Sequence, residues 1–167
     1  REGLQHVSTP YVVVWHDDDL LAVRALESGV QFLETHPAYS VVNGRSVLYS
    51  MEDWDGRMVP GCMPYWQCPV AGQTATIRLR NYFENYSVLN CAIHRTTHLT
   101  CNVQQCCEHE FGYGWGELAL GGLSAIQGCI GQMNGLYLVK ETHPGNNSWD
   151  DNGHKPDVLG WVTGASF

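Results

Sequence analysis

From Tyr11 to His16 the chain reads YVVVWH, an unbroken run of apolar and β-branched side chains whose length suits a buried strand. Three aspartates, Asp17, Asp18 and Asp19, follow at once. The period then changes. Leu20, Leu21, Val23, Leu26, Val30 and the Phe32–Leu33 pair recur at helical spacing, and His36–Pro37 stops them. YSVVNGRSVLYS, Tyr39 to Ser50, predicts another strand, or a hairpin broken at Asn43–Gly44. Residues 51–76 are rich in Gly, Pro, Met, Trp and Cys, show little periodicity, and predict an extended loop with short strands. Asn81–Cys107 predicts mostly helix. Glycines at 112, 114 and 116 then mark a turn before a second helix over 116–128, whose apolar positions are Leu118, Leu120, Leu123 and Ile126. Leu136–Val139 predicts a short strand, and the tail from Glu141 is polar. Residues 1–10 read as the tail of a helix and a turn. Strands alternating with helices predict an α/β layered domain.

Composition narrows the picture. A chain of 167 residues fits a single domain, 1–167, and can bury a sizeable core. Nine Lys and Arg stand against 17 Asp and Glu, a net charge of −8 without a basic run, which argues against nucleic acid as a partner and suits recruitment of a cation. No membrane span and no secretory signal are legible, so the sequence reads as cytoplasmic. Seven cysteines, an odd count, make a poor disulfide framework and predict reduced, mostly buried thiols. The opening REGLQHVSTPYVVVW reads as the middle of a fold, with an N-terminal partner segment expected before it.

Adjacent like charges repel unless something answers them. At the C-terminal end of a strand in an α/β sheet, where ligands commonly bind, three carboxylates can hold a hard divalent cation such as Mg²⁺ or Mn²⁺. The structural alternative is a helix N-cap, which would account for one aspartate more easily than for three.

VVVWHDDDLLAVRALESGVQFLETHPAYSVVNGR resembles the central segment of family 2 glycosyltransferases of the GT-A fold. There a hydrophobic strand runs into a D-x-D motif and then a helix closing on a FLE-x-HP-x-Y phrase. NYSVLNCAIHRTTHL (86–99), FGYGWGELALGGLSAIQG (111–128) and GLYLVKETHPGNNSW (135–149) are similar, in order, to later parts of a DXD-type subfamily, so the likeness covers roughly 7–150. It implies a partial GT-A, Rossmann-like domain: a mixed sheet with flanking helices, the N-terminal nucleotide-binding half missing. It also implies transfer of a sugar from a nucleotide-sugar donor to a saccharide or other hydroxyl acceptor, metal-dependent and inverting. The alternative is a non-catalytic carbohydrate- or protein-binding remnant.

Carried over by position, the resemblance makes Asp18 and Asp19 metal ligands, with Asp17 facing the nucleotide-sugar. The motif's register stays open between His16–Asp18 and Asp17–Asp19, and His16 is either a ligand or a packed strand residue. Glu117 matches the acidic helix residue that would take the acceptor's proton, with Glu108 and Glu110 as competitors. At a helix start Glu117 is expected to stay ionised. The family usually has Glu-Asp there, whereas this chain has Glu-Leu. His143 matches a C-terminal histidine that helps hold the metal or diphosphate, and Lys140 stands where an arginine is common and could bind phosphate. Trp54, Trp66 and Trp115 could stack on a sugar or simply pack.

Three rival readings have less behind them. Cys101, Cys106, Cys107 and His109, with His94 and His98, suggest zinc, but the spacing is not a common zinc pattern. A Cys–His hydrolase using Cys62 or Cys68 lacks an evident partner histidine. Asp150–Gly153 lacks the glutamate that would close a calcium loop.

Overall fold

The computed structural model describes residues 2–108 and 113–142, with side chains of the second stretch described from Trp115 onward. A 3-10 turn, Gly3–His6, leads into β1 (Tyr11–Val13), and β2 (Asp19–Leu21) follows after a turn at the aspartates. Next come α1 (Val23–Thr35), β3 (Tyr39–Trp54), β4 (Arg57–Tyr65), α2 (Ala75–Glu84), β5 (Ile93–Arg95), α3 (Thr96–Glu108), α4 (Tyr113–Gln127) and β6 (Cys129–Glu141). The six strands form one mixed sheet in the order β1-β5-β3-β6-β2, with β4 also paired to β3. Among the described residues only β3 and β6 run parallel; every other pairing is antiparallel. The expected α/β layering, mixed sheet and flanking helices are therefore present.

Strand β3 is the spine. Its side chains alternate across the sheet, so successive residues enter different cores. Val42 joins Leu33, Ile93, Tyr137 and Leu138 beneath α1. Val41 joins Val70, Tyr82, Leu89, Ala92, Leu118, Ala125 and Ile130 beneath α2 and α4. Glycine permits close approach in both layers. At Gly29 a Cβ would overlap Ile93 and sit 3.2 Å from Met133, so α1 bears directly on the sheet. At Gly121 a Cβ would overlap the buried Tyr82 ring, so α4 and α2 touch through that ring. A glycine inside a helix costs about 1 kcal/mol against alanine, and the packing offsets it.

Two arginines fasten helix ends. Carbonyls in the last turn have no partner within the helix and carry the negative end of its dipole. Arg95 donates to the carbonyls of Leu33 (2.8 Å) in the last turn of α1 and of His36 (3.4 Å) and Tyr39 (3.0 Å) beyond it, and to the Tyr11 hydroxyl. Arg78 donates to those of Ala125 (2.8 Å) and Ile126 (2.7 Å) at the end of α4, and to Gly72.

Several expected elements differ. The first strand ends at Val13 rather than His16, because Trp15 turns outward to donate from its indole N–H to the Asp19 carbonyl (2.7 Å). Asn43–Gly44 is not a hairpin: β3 continues through it with register irregularities against β6. The expected loop at 51–76 contains β4 and a hairpin turn at Asp55–Gly56, both with positive φ. The helix expected over 81–107 is broken, since α2 stops at Glu84 and β5 intervenes. The last strand is far longer than 136–139 and begins at Cys129. The cysteines are free as expected, but none is fully buried, and Cys62, Cys101 and Cys107 are exposed, the first on an edge strand and the others on α3. Among the described residues no helix is long and apolar enough to cross a membrane.

Candidate active site

The last of the three aspartates is the buried one. Asp19 opens β2, where pairing with β6 sets it opposite Lys140 and sets Leu21 opposite Leu138. Its backbone N–H returns to the His16 carbonyl at 3.4 Å, so the acidic run is a tight turn that points Asp19 inward. Asp17 is exposed and Asp18 half-buried, while Asp19 is 1% exposed. A buried carboxylate costs several kcal/mol unless charge and hydrogen bonds answer it. Oδ2 is answered by three groups: Lys140 Nζ at 3.5 Å, the Cys91 thiol at 3.6 Å and His16 Nδ1 at 3.8 Å. Oδ1 is buried with no hydrogen-bond partner among the described residues.

Cys91 lies in the segment between α2 and β5. Burial, and then the neighbouring Asp19 charge, push its thiol up to about 12. Lys140 and a hydrogen bond from the His16 backbone pull the other way. The Cys91 carbonyl is fixed by the Tyr137 hydroxyl at 2.5 Å.

Glu117 reaches the same region from α4. That helix begins at Tyr113, so Glu117 sits in its second turn rather than at its start, and burial rather than the dipole dominates. Burial raises its pKa; a 2.6 Å hydrogen bond from Asn90 Nδ2 to Oε1 and the nearby His16 and Lys140 oppose this. Asn90 and Cys91 are thus consecutive residues touching the two carboxylates. Tyr65, at the end of β4, is held up to about 12 by burial and by the charges of Glu117, Cys91 and Asp19. Across the sheet Tyr65 pairs with Ser46, which aligns with Leu138.

Of the residues singled out in the sequence, Asp19, Lys140, Glu117 and His16 are gathered together. Asp18 bears electrostatically on Tyr49, as does Glu141, beside the cluster, and Asp17 faces outward. Glu108 is exposed at the end of α3. His143, Glu110, His109 and residues 150–153 lie outside the described residues. Trp54, Trp66 and Trp115 are exposed, so none fills the core. Among the described residues, the group able to share an ion is His16, Asp19 and Cys91, not the cysteines of α3. His94, also part of the zinc reading, is buried and donates from Nε2 to the Leu89 carbonyl at 2.9 Å. Sequence reasoning missed Asn90, Cys91 and Tyr65. Two lie in a short irregular connection and one ends an edge strand, and no spacing rule links either place to the aspartates.

No protein-family model matches this chain, and no curated protein matches it. Among solved structures it is similar to the crystal structure of S. aureus TarS 1–349, a glycosyltransferase, at 19% identity and a TM-score of 0.47, over 84% of this chain and 38% of that chain.

Proposed function

We propose that this chain carries the metal- and acceptor-binding part of a GT-A-type glycosyltransferase, moving a sugar from a nucleotide-diphosphate donor to a hydroxyl with inversion. The observation that carries the reading is that Glu117 and Asp19, distant in sequence, share His16 and Lys140 as neighbours. In this reaction the acceptor oxygen attacks the anomeric carbon, the bond from that carbon to the diphosphate oxygen breaks, and the hydroxyl proton passes to Glu117. A carboxylate whose pKa is raised by burial is a better base than an exposed one. Asn90 occupies Oε1 and so orients the side chain, leaving Oε2 to receive the proton. Lys140, a compact point charge on a flexible stem, suits the diphosphate.

Oδ1 of buried Asp19, without a hydrogen-bond partner among the described residues, fits a bound cation, and Asp18 and Asp19 are the carboxylates assigned to it. When bound, Mn²⁺ or Mg²⁺ would neutralise charge on the departing diphosphate. Titration of the chain with a nucleoside diphosphate in the presence of Mn²⁺ tests the proposal. Saturable, Mn²⁺-dependent binding that disappears in Asp18→Ala, with the fold intact, is expected. No binding at millimolar ligand would favour a non-catalytic carbohydrate- or protein-binding role.

A further inference from the structure

We propose that His16 Nδ1, the Asp19 carboxylate and Cys91 Sγ form a three-ligand site for a borderline transition-metal ion of the Zn²⁺ or Co²⁺ class, with Cys91 binding as thiolate. The site shares Asp19 with the donor cation site described above, so the two ions compete for that carboxylate, but it does not rest on the transfer reaction.

The three ligand atoms all lie within 4.8 Å of one another. Both Cys91 Sγ at 3.6 Å and His16 Nδ1 at 3.8 Å flank Asp19 Oδ2. Bonds of about 2.0–2.3 Å to a tetrahedral ion place neighbouring ligands about 3.5 Å apart, so the two spacings about Oδ2 suit ligands of one centre. The second observation is independent of the spacing. Asp19 Oδ1 is buried and has no hydrogen-bond partner among the described residues, an arrangement that is costly for an anion unless a cation completes it. Exposed acidic clusters lack this feature.

The chemistry of the set selects the ion. One nitrogen, one oxygen and one sulfur suit zinc-like ions, whereas Mg²⁺ requires an oxygen shell. Three protein ligands leave the fourth position open, as catalytic rather than structural zinc sites do. Burial and the Asp19 charge keep the Cys91 thiol protonated while no ion is bound, so it is the charge of the ion itself that displaces the proton. Binding exchanges one ion for the Cys91 proton, which is released to solvent, so metal uptake and acidification are linked. Lys140, at 3.5 Å from Oδ2, is the cation that steadies Asp19 until the ion arrives.

The test uses the full chain, stripped with chelator and titrated with Co²⁺ alone. The expected result is saturation at one equivalent, with intense visible bands of a four-coordinate ion and a thiolate-to-cobalt charge-transfer absorption in the near ultraviolet. In weakly buffered solution close to one proton should appear per ion bound, a readout that needs no variant. Cys91→Ser should remove the near-ultraviolet band, and His16→Ala should weaken binding by at least about 10-fold, taking the effect of even indirect ligand support as the lower bound. Cys101→Ser and Cys106→Ser should leave the band in place. A pale six-coordinate spectrum, no proton release, or a band that survives Cys91→Ser would overturn the proposal. Absent sugar transfer leaves it standing, whereas transfer with Mn²⁺ in a chain that shows no charge-transfer band sinks this site and spares the reaction.

Discussion

At Val41, Val42 and Ile130 the sheet is dry on both sides, and glycines let the helices close down upon it. At the edge of the same sheet, where Asp19 of β2 meets Lys140 of β6, a carboxylate is buried beside a half-buried ammonium, and one of its oxygens has no hydrogen-bond partner among the described residues. The centre is organised by shape, which is cheap to satisfy with apolar side chains. The rim is organised by charge that apolar side chains would remove at no loss of stability, which is the mark of a place kept for chemistry. Substitutions at the two places should therefore separate stability from activity.

The sharpest way to break this contrast is at the centre. Leu33→Ala removes a fully buried side chain beneath α1 and should cost about 2–5 kcal/mol in urea unfolding, with donor affinity per folded molecule unchanged. Loss of affinity in proportion would mean that the two regions are not separable.

His94 is buried near this centre, and there burial keeps the ring neutral, lowering its pKa from 6.5 to about 4. The unfolded chain takes up this proton first on acidification, so stability is full above 6.5 and falls as pH drops toward about 4, by about 3 kcal/mol in all. Urea midpoints measured across that interval should slope for the natural protein and flatten for His94→Gln.

At the rim the effect moves from stability to rate. Glu117→Gln should cut turnover by about 10²-fold or more while leaving the urea midpoint unchanged or slightly higher, because an amide is easier to bury than a carboxylate. Since burial raises the Glu117 pKa, turnover in the natural protein should fall on acidification at a higher pH than an exposed glutamate would give. Undiminished turnover in Glu117→Gln would move the base to Glu108 or Glu110.

The smallest effect is expected outside both regions. Trp54, 74% exposed near the tip of the β3–β4 hairpin, should tolerate alanine within about 0.5 kcal/mol and without change in donor binding. A selective loss of rate with saccharide acceptors would extend the rim's chemistry to the hairpin.

How much of this was legible depended on whether the cause was local. The α1 periodicity and its stop at His36–Pro37 are local and predict the C-terminal end of that helix, whereas Leu20 and Leu21, grouped with it by their spacing, belong to β2 and the helix starts at Val23. The Asp55–Gly56 turn was also available, as a dipeptide suited to positive φ, yet lay inside a stretch that reads as a loop. Strand β5, only three residues long, has no period of its own and exists because β1 and β3 pair with it on both sides. The acidic turn announced a site, but not which aspartate was buried. That follows from the pairing of Asp19 with Lys140, a long-range register that adjacent residues do not encode. Cys91 and Asn90 join the cluster for the same non-local reason.

The guanidinium groups of Arg78 and Arg95 hold the closing turns of α4 and α1, the parts of a helix that ordinarily fray first. Each acts as a rivet between a helix and a distant stretch of chain. The amides of those last turns should accordingly exchange with deuterated solvent as slowly as mid-helix ones, so that loosening begins at helix beginnings and each unit opens as a whole.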